Sequence, residues 1–429
     1  MTRVALINPH WTFEGSIYFG CRSPHLPLEL GISQAYLRAA GHSTLLLDAH
    51  MFELSLSDIQ AELSSFKPDL IVLTTAPTYL FWRCAPPELR VPQELVVALR
   101  QTGATLVAVG PHGSTTPRAT IKKLGVDIVV MGECERSLLR LANGEHDFAG
   151  LCRADATGEI RVQGGPQAAS FIDQPALQWP EEMIRRHHHH HHRFEATPVG
   201  PGAEVESSRG CPYHCTFCAK DNFRNAYRKR PPAVILDEVD RLRAQGVEYV
   251  YFIDEIFLPN ADLLQGLVSR KLKFGVQTRI DLWKPPMLEL LGRAGCVSIE
   301  AGIESLTPEG RAALAKNCRM TTEELADRLV EARRHVPFVQ ANLIEMPHDD
   351  DPVVQQWRKR MQDAGVWAND PVPLYPYPGS PDYRKLWGEP DDHAWERAHT
   401  YYLGLFNRFS DVQNERPVPL AALEMQVTP

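Results

Sequence analysis

The chain has little cysteine outside one short stretch, no long apolar run and no long basic run. Six of its nine cysteines are scattered: Cys21, Cys84, Cys134, Cys152, Cys296 and Cys318. The odd total and low density argue against a disulfide scaffold and fit a reducing compartment. No apolar stretch approaches the length that crosses a bilayer, so no membrane span is expected. The net charge of -8 comes with no basic stripe, so no nucleic-acid partner is expected. The first residues run directly into the strand-like VALINPH, without a basic region, apolar stretch and cleavage site, and the expected location is cytoplasmic. No G-x-G-x-x-G follows the first strand and no G-x-x-x-x-G-K-[ST] occurs, so neither the dinucleotide fingerprint nor a P-loop is available. What remains is an ordinary globular mix, 44 % apolar and 23 % charged, over 429 residues, enough for two or three cores.

Residues 1–145 alternate strand-like and helix-like segments. RVALINP, STLLLDA, PDLIVLTTAP, ATLVAVGPHG and VDIVVMGECE read as strands, with helical spacing between them. One helix is opened by Ser55 or Ser57, and another is closed by Gly103. Nearly continuous apolar strands separated by helices predict a flavodoxin-like α/β domain, a parallel sheet covered on both faces. Ligands sit beyond the carboxyl ends of such strands. The residues there include Asn8, Thr75, Thr78, Tyr79, Gly110, Gly132 and Glu133.

Over residues 146–200 the alternation breaks down. RADATGEIRVQGGPQAAS reads as a small hairpin or an irregular strap, and RRHHHHHHRFEATPVG follows. The run His187 to His192 admits three readings: an expression tag in an unusual internal position, a metal- or anion-binding tract, or a linker that packs without chemistry.

Cysteine is concentrated in SSRGCPYHCTFCAKDNF, where Cys211, Cys215 and Cys218 fall within eight residues. A structural zinc site takes four ligands, commonly two C-x2-C pairs. His214 is adjacent to Cys215, so its side chain points elsewhere, and Cys296 and Cys318 are remote. Soft thiolates select iron-sulfur clusters as readily as zinc. A four-iron cube on three cysteines leaves one iron open to a small molecule.

Cys211, Cys215, Phe217 and Cys218, as C-x3-C-x-Phe-C, resemble the signature of the radical S-adenosylmethionine (SAM) enzymes. The resemblance implies a [4Fe-4S] cluster on the three cysteines. SAM chelates the open iron through its amino and carboxylate groups, and reduction cleaves its sulfonium to a 5'-deoxyadenosyl radical. The following βα series, beginning with GAEVESSRG, provides about six strands over residues 201–377, the count of a partial (β/α)6 barrel. By resemblance, Phe217 lies against the adenine and Asp254 binds the methionyl amine, although IDE departs from the glycine-rich form common there. Glu300, Glu304 and Ser305 resemble the ribose-binding region, with pairing to arginines as the alternative for the two glutamates. Arg279 is a candidate partner of the cofactor carboxylate or half of a structural ion pair. Gln340 and Asn342 share one face of a strand and line a ligand cavity or form a polar layer inside the barrel. Lys220, Glu255 and Glu345 are candidate hydrogen-bonding or proton-handling groups, with a solvated lysine as the alternative for Lys220.

An α/β domain ahead of such a barrel resembles the cobalamin-binding branch of this family, as do PLELG (Pro27 to Gly31) and Gly132, Glu133 and Glu135. The cobalt-binding D-x-H-x-x-G is absent: DAHMFE supplies Asp48 and His50 without the glycine. The resemblance implies cobalamin, a reductant such as flavodoxin or ferredoxin, and methyl transfer to an unactivated carbon of a small-molecule substrate. Cyclisation, rearrangement or oxidation, with or without cobalamin, is the alternative within the enzyme class. Outside it, the alternative is an iron-sulfur electron-transfer protein. Residues 378–429 form a small extension whose helix, with Trp395, Ala398, Tyr401 and Tyr402, is expected to cap the open barrel end.

Overall fold

The structure is a computed structural model. It describes the chain except residues 18–23, 79–84, 156, 170–173, 175–176, 188–199, 221–223, 225, 407–414 and 426–429. β1 (Arg3–Asn8), β2 (Ser43–Asp48), β3 (Leu70–Thr74), β4 (Thr105–Val109) and β5 (Ile128–Val130) are parallel, in the order 2-1-3-4-5. Alternate residues feed two cores, as the period of a strand requires. Val4, Leu6, Val72 and Val107 face the helix Leu28–Ala39, whereas Ala5, Ile7, Ile71 and Leu73 face Ile59, Leu63 and Leu95. Of the two serines expected to open the helix Leu56–Phe66, Ser55 is the cap. Its hydroxyl accepts from the Asp58 amide at 3.2 Å, and the Asp58 carboxylate accepts from the Ser55 amide at 2.9 Å.

The sheet continues past residue 145 and is not purely parallel. β6 (Leu151–Ala154) and β7 (Ile160–Gln163) form a hairpin that adds two antiparallel strands beside β5. So short a connection permits no parallel crossover. A strap then crosses the exit of β5, where Gly132 bridges Gln167. Gly132 has φ +85°, and a Cβ there would lie 2.3 Å from the Gln167 carbonyl oxygen, so the close approach requires glycine.

The second sheet has six parallel strands in chain order: β8 (Gly202–Val205), then β11 (Tyr249–Phe252), β12 (Lys273–Thr278), β13 (Cys296–Glu304), β14 (Phe338–Leu343) and β15 (Trp367–Ala368). This is the expected partial barrel. Between β8 and β11, β9 (Ser208–Arg209) pairs antiparallel with β10 (Arg228–Lys229). One face of the first sheet and the barrel share a continuous apolar core, in which Leu26, Leu28 and Trp179 meet Ala203 and Val205.

The helix Ala394–Leu405 packs against the chain that follows β15, where Ala394, Ala398 and Tyr402 cluster with Tyr375 and Tyr383, and it also reaches the first domain. The Trp395 ring lies 4.4 Å from that of His112, and its indole nitrogen donates to the Thr116 hydroxyl at 3.1 Å. An aromatic on the helix's buried face finds its partners at the exit of β4. Among the described residues no helix is long and apolar enough to cross a membrane.

Candidate active site

The pairing of β9 with β10 closes the base of the cysteine loop. Gly210 turns into it with φ +78°; a Cβ there would meet the Ala226 carbonyl oxygen at 2.3 Å. The Gly210 amide donates to Glu255 at 2.9 Å. Asp254, next to it beyond β11, accepts from the Ser207 amide at 2.7 Å, the Ser208 hydroxyl at 2.7 Å and the Ser207 hydroxyl. Both acids therefore hold the entry to the loop. Burial pushes the Asp254 carboxyl up to about 7 despite the hydrogen bonds that favour its charge. Lys220 is not solvated: it is 3 % exposed and donates to the Cys211 carbonyl at 2.6 Å. In mid-loop the Thr216 amide donates to the Leu314 carbonyl at 3.0 Å, and the Thr216 carbonyl accepts from the Asp382 amide at 2.9 Å.

Cys211, Cys215 and Cys218 are free and partly exposed. Burial raises all three thiols, Cys218 to about 12, and the charge of Cys211 and Cys215 adds to the rise at Cys218. Opposing this are cations close by: Lys220 near Cys211 and Cys218, and Lys316 and Arg279 near Cys215. Glu255 acts against the lysine at Cys211, and Glu304 against the cations at Cys215; three mutually interacting thiols on one loop, with cations at hand, fit a thiolate-ligated cluster. Among the described residues no three His, Cys, Asp or Glu side chains converge on a single-ion site, and a four-iron cube needs its thiolates set wider than one ion does. Phe217 lies half-buried in the turn between the second and third cysteines.

The register aligns Gln277, Glu300 and Gln340 across β12, β13 and β14. The Gln340 amide donates to Asn342 at 2.7 Å, and the Asn342 amide donates to Glu300 at 2.7 Å, so the expected polar layer is present. Glu304, at φ +68°, accepts from Lys316 at 2.7 Å rather than from an arginine. The Ser305 hydroxyl donates to Asp349 at 2.8 Å, which also accepts from the Thr307 amide. Arg279 grips Asp281 with two donors, at 3.1 and 2.8 Å, and its guanidinium lies 4.1 Å over the Tyr213 ring of the cysteine loop. The structural ion pair is therefore present, and Nη1 of Arg279 is buried without a hydrogen-bond partner. Glu345 is exposed at the exit of β14, on the wall of a cavity of about 340 Å³ that Met346, Asp351 and Val354 also line.

At the strand ends of the first domain, several of the expected ligand-facing residues are engaged with other side chains. Asn8 donates to Asp48 at 2.8 Å and accepts from the Trp11 indole at 2.8 Å. The Thr78 hydroxyl donates to Glu29 at 2.8 Å. Gly132 lies under the strap, and Glu133 pairs with Arg209 at 3.3 Å and with Arg228. Gly110, at φ +129°, leads into the short helix Pro111–Thr115. The hydroxyls of Thr74 and Thr75 are buried at the exit of β3 without a hydrogen-bond partner. Such atoms call for a polar ligand, and the amide-fringed corrin of cobalamin would supply one. Tyr79 lies outside the described residues. His187 is buried, with Nε2 3.1 Å from Glu204, whose other oxygen accepts from the Leu26 amide at 3.1 Å. The remainder of the tract, His188 to His192, lies outside the described residues.

The largest feature that sequence reasoning missed is a buried ion network between the sheets. Arg209 contacts Glu133 at 3.3 Å, Glu135 at 2.8 Å and Glu206 at 2.8 Å; Arg224 contacts Glu206 at 2.7 Å, Glu255 at 3.3 Å and Glu29 at 3.5 Å. Burial opposes ionisation of Glu206, but the two guanidiniums hold it down at about 2. Burial dominates at Glu29 and pushes it up to about 7, with Arg224 pulling the other way. Because the ordinary value is 4.5, the folded chain keeps this proton longer than the unfolded one. The resulting stability is complete below about pH 4.5 and is lost as pH rises through about 7. The melting temperature of Glu29→Gln should decline less than that of the native chain between about pH 5 and about pH 8; equal declines would locate the proton elsewhere.

The fold is a two-domain α/β architecture with a three-cysteine loop tied to the strand ends of a flavodoxin-like domain. Residues 205–355 match the family model of the radical SAM superfamily, and residues 22–142 match that of the B12 binding domain. The chain belongs to the branch of the radical SAM superfamily that carries a B12-binding domain. It is similar to an uncharacterized methyltransferase of Pyrococcus horikoshii, 22 % identical over 376 residues that make up 84 % of this chain and 77 % of that protein. It is also similar to the anaerobic magnesium-protoporphyrin IX monomethyl ester cyclase of Cereibacter sphaeroides, 26 % identical over 320 residues, 71 % of this chain and 50 % of that one. In fold it resembles the radical SAM methyltransferase TsrM from Kitasatospora setae, solved with cobalamin and a [4Fe-4S] cluster bound, with a TM-score of 0.70 at 19 % identity over 89 % of this chain and 74 % of that one.

Proposed function

We propose that this chain is a cobalamin-dependent radical SAM enzyme that transfers a methyl group to an unactivated carbon of a small molecule. The observation that carries this reading is the junction itself: the loop of Cys211, Cys215 and Cys218 is tied by buried arginines to Glu29, Glu133 and Glu135 of the B12-binding domain. When bound, the cluster supplies reductive cleavage of SAM and the corrinoid supplies methyl transfer. The chain's own residues bind and orient. The three cysteines would hold the cluster, with Lys220, Lys316 and Arg279 offsetting its negative charge. Phe217 and the polar face of Glu300, Gln340 and Asn342 would receive SAM, and Thr74 and Thr75 would receive the corrinoid. Glu304, Ser305 and Asp254 act through the loops they hold. Glu345, on its cavity at the barrel mouth, faces the small-molecule acceptor. A low-potential flavodoxin or ferredoxin is the fitting reductant, the cytoplasm the fitting compartment, and the charge of -8 disfavours a nucleic-acid acceptor.

The cyclase among the relatives supports a second reading, ring closure. Incubation with methyl-labelled SAM, a strong reductant and extract from the producing organism separates the two. Methyl transfer is expected to give S-adenosylhomocysteine and 5'-deoxyadenosine in comparable amounts, with label in one new product. 5'-Deoxyadenosine alone, with an unlabelled product of altered ring connectivity, would reject methylation.

A further inference from the structure

The two arginines of the ion network flank the cysteine triad: Arg209 stands two residues before Cys211, and Arg224 six residues after Cys218. Each reaches out of the barrel into the other domain. Arg209 meets Glu133 and Glu135, which follow β5, and Arg224 meets Glu29, which in turn accepts from Thr78 beyond β3. Each is also tied back to the loop. Glu206 bridges the pair, and Glu255 joins Arg224, at 3.3 Å, to the Gly210 amide, at 2.9 Å. Both guanidiniums are wholly buried, so water cannot substitute for a lost partner.

We infer that Arg209 and Arg224 are positioning residues that make the cysteine loop respond to what binds on the strand ends of the B12-binding domain. The inference rests on the reading that cobalamin binds there. A ligand that orders the Thr75–Thr78 exit orders the Thr78–Glu29–Arg224–Glu255–Gly210 chain and thereby the start of the cluster loop. Coupling of this kind is reciprocal, so the loaded cluster strengthens corrinoid binding by the same factor.

The test is amide hydrogen exchange over residues 205–211 in cluster-loaded protein, with and without hydroxocobalamin, at a pH well above about 7 so that Glu29 is ionised, with iron and cobalamin content measured in the same samples. In the native chain, cobalamin should slow exchange of this segment by at least about tenfold. In Arg224→Lys, which keeps the charge but loses the forked geometry, and in Glu29→Gln, which keeps the acceptor for Thr78 but loses the charge, the slowing should fall below about twofold with iron retained. If Arg224→Lys takes up no iron, Glu29→Gln decides. Bound cobalamin with no slowing in the native chain, or equal slowing in Glu29→Gln, overturns the coupling. No bound cobalamin overturns the functional reading and the coupling with it.

Discussion

Replacing Cys211, Cys215 and Cys218 together by alanine should leave a folded chain that takes up no iron. The loop is held by Gly210 on Glu255, by Ser207 and Ser208 on Asp254, and by Lys220 on the Cys211 carbonyl, none of which uses a thiol. Loss of the thiols therefore removes ligands without removing the scaffold. Anaerobic reconstitution of the native chain should give about four irons and four sulfides, the content of one cube on three thiolates. The brown charge-transfer absorbance should vanish in the variant, and SAM cleavage should fall to background. Each single alanine variant should lose most of the cluster too, because three ligands carry no redundancy. Stoichiometric zinc with no iron uptake by the native chain would reject the assignment.

The second large effect is on stability. Arg209→Met removes the common partner of Glu133, Glu135 and Glu206 and leaves buried carboxylates facing one another. Breaking a buried ion pair from one side costs about 3–5 kcal/mol, and the denaturant midpoint should fall accordingly. Adding Glu206→Gln to Arg209→Met should recover part of the loss, since one uncompensated charge goes with it. A shift in stability smaller than about 1 kcal/mol would show the network to behave like an exposed one.

The cysteine triad was legible because cluster ligation is local and three side chains on one loop must be close in sequence. The strands were legible because sheets buried on both faces read as unbroken apolar runs, as LIVLT in β3 does. The ion network was not, because its partners lie 76 residues apart for Arg209 and Glu133 and 195 apart for Arg224 and Glu29. One trace of it was present in GAEVESS, where Glu204 and Glu206 sit in and just after a strand whose residues are all buried; a charge there must have a partner. Asp254 and Glu255 were rightly placed beyond β11, the first read as a partner of the methionyl amine and the second as a hydrogen-bonding or proton-handling group; that both hold the entry to the cysteine loop was not legible, because the sequence does not tell which way a side chain at a strand exit turns. The contact of Trp395 with the first domain was not legible for a similar reason: its partner Thr116 is 279 residues away.

The sheet of the second domain ends at β15, only two residues long, with β8 at its other edge. In a closed barrel, strand number and shear together dictate the bore. Here, among the described residues, no ladder joins β15 to β8, and the chain after β15 stays beside β14 through the bridge of Val372 to Ile344. A change of length between Pro373 and Ser380 would leave that bridge in place but would shift Asp382, whose amide donates to the Thr216 carbonyl of the cysteine loop at 2.9 Å. The open side of the barrel and the cysteine loop thus hang on one chain segment, and a change at the first is felt at the second.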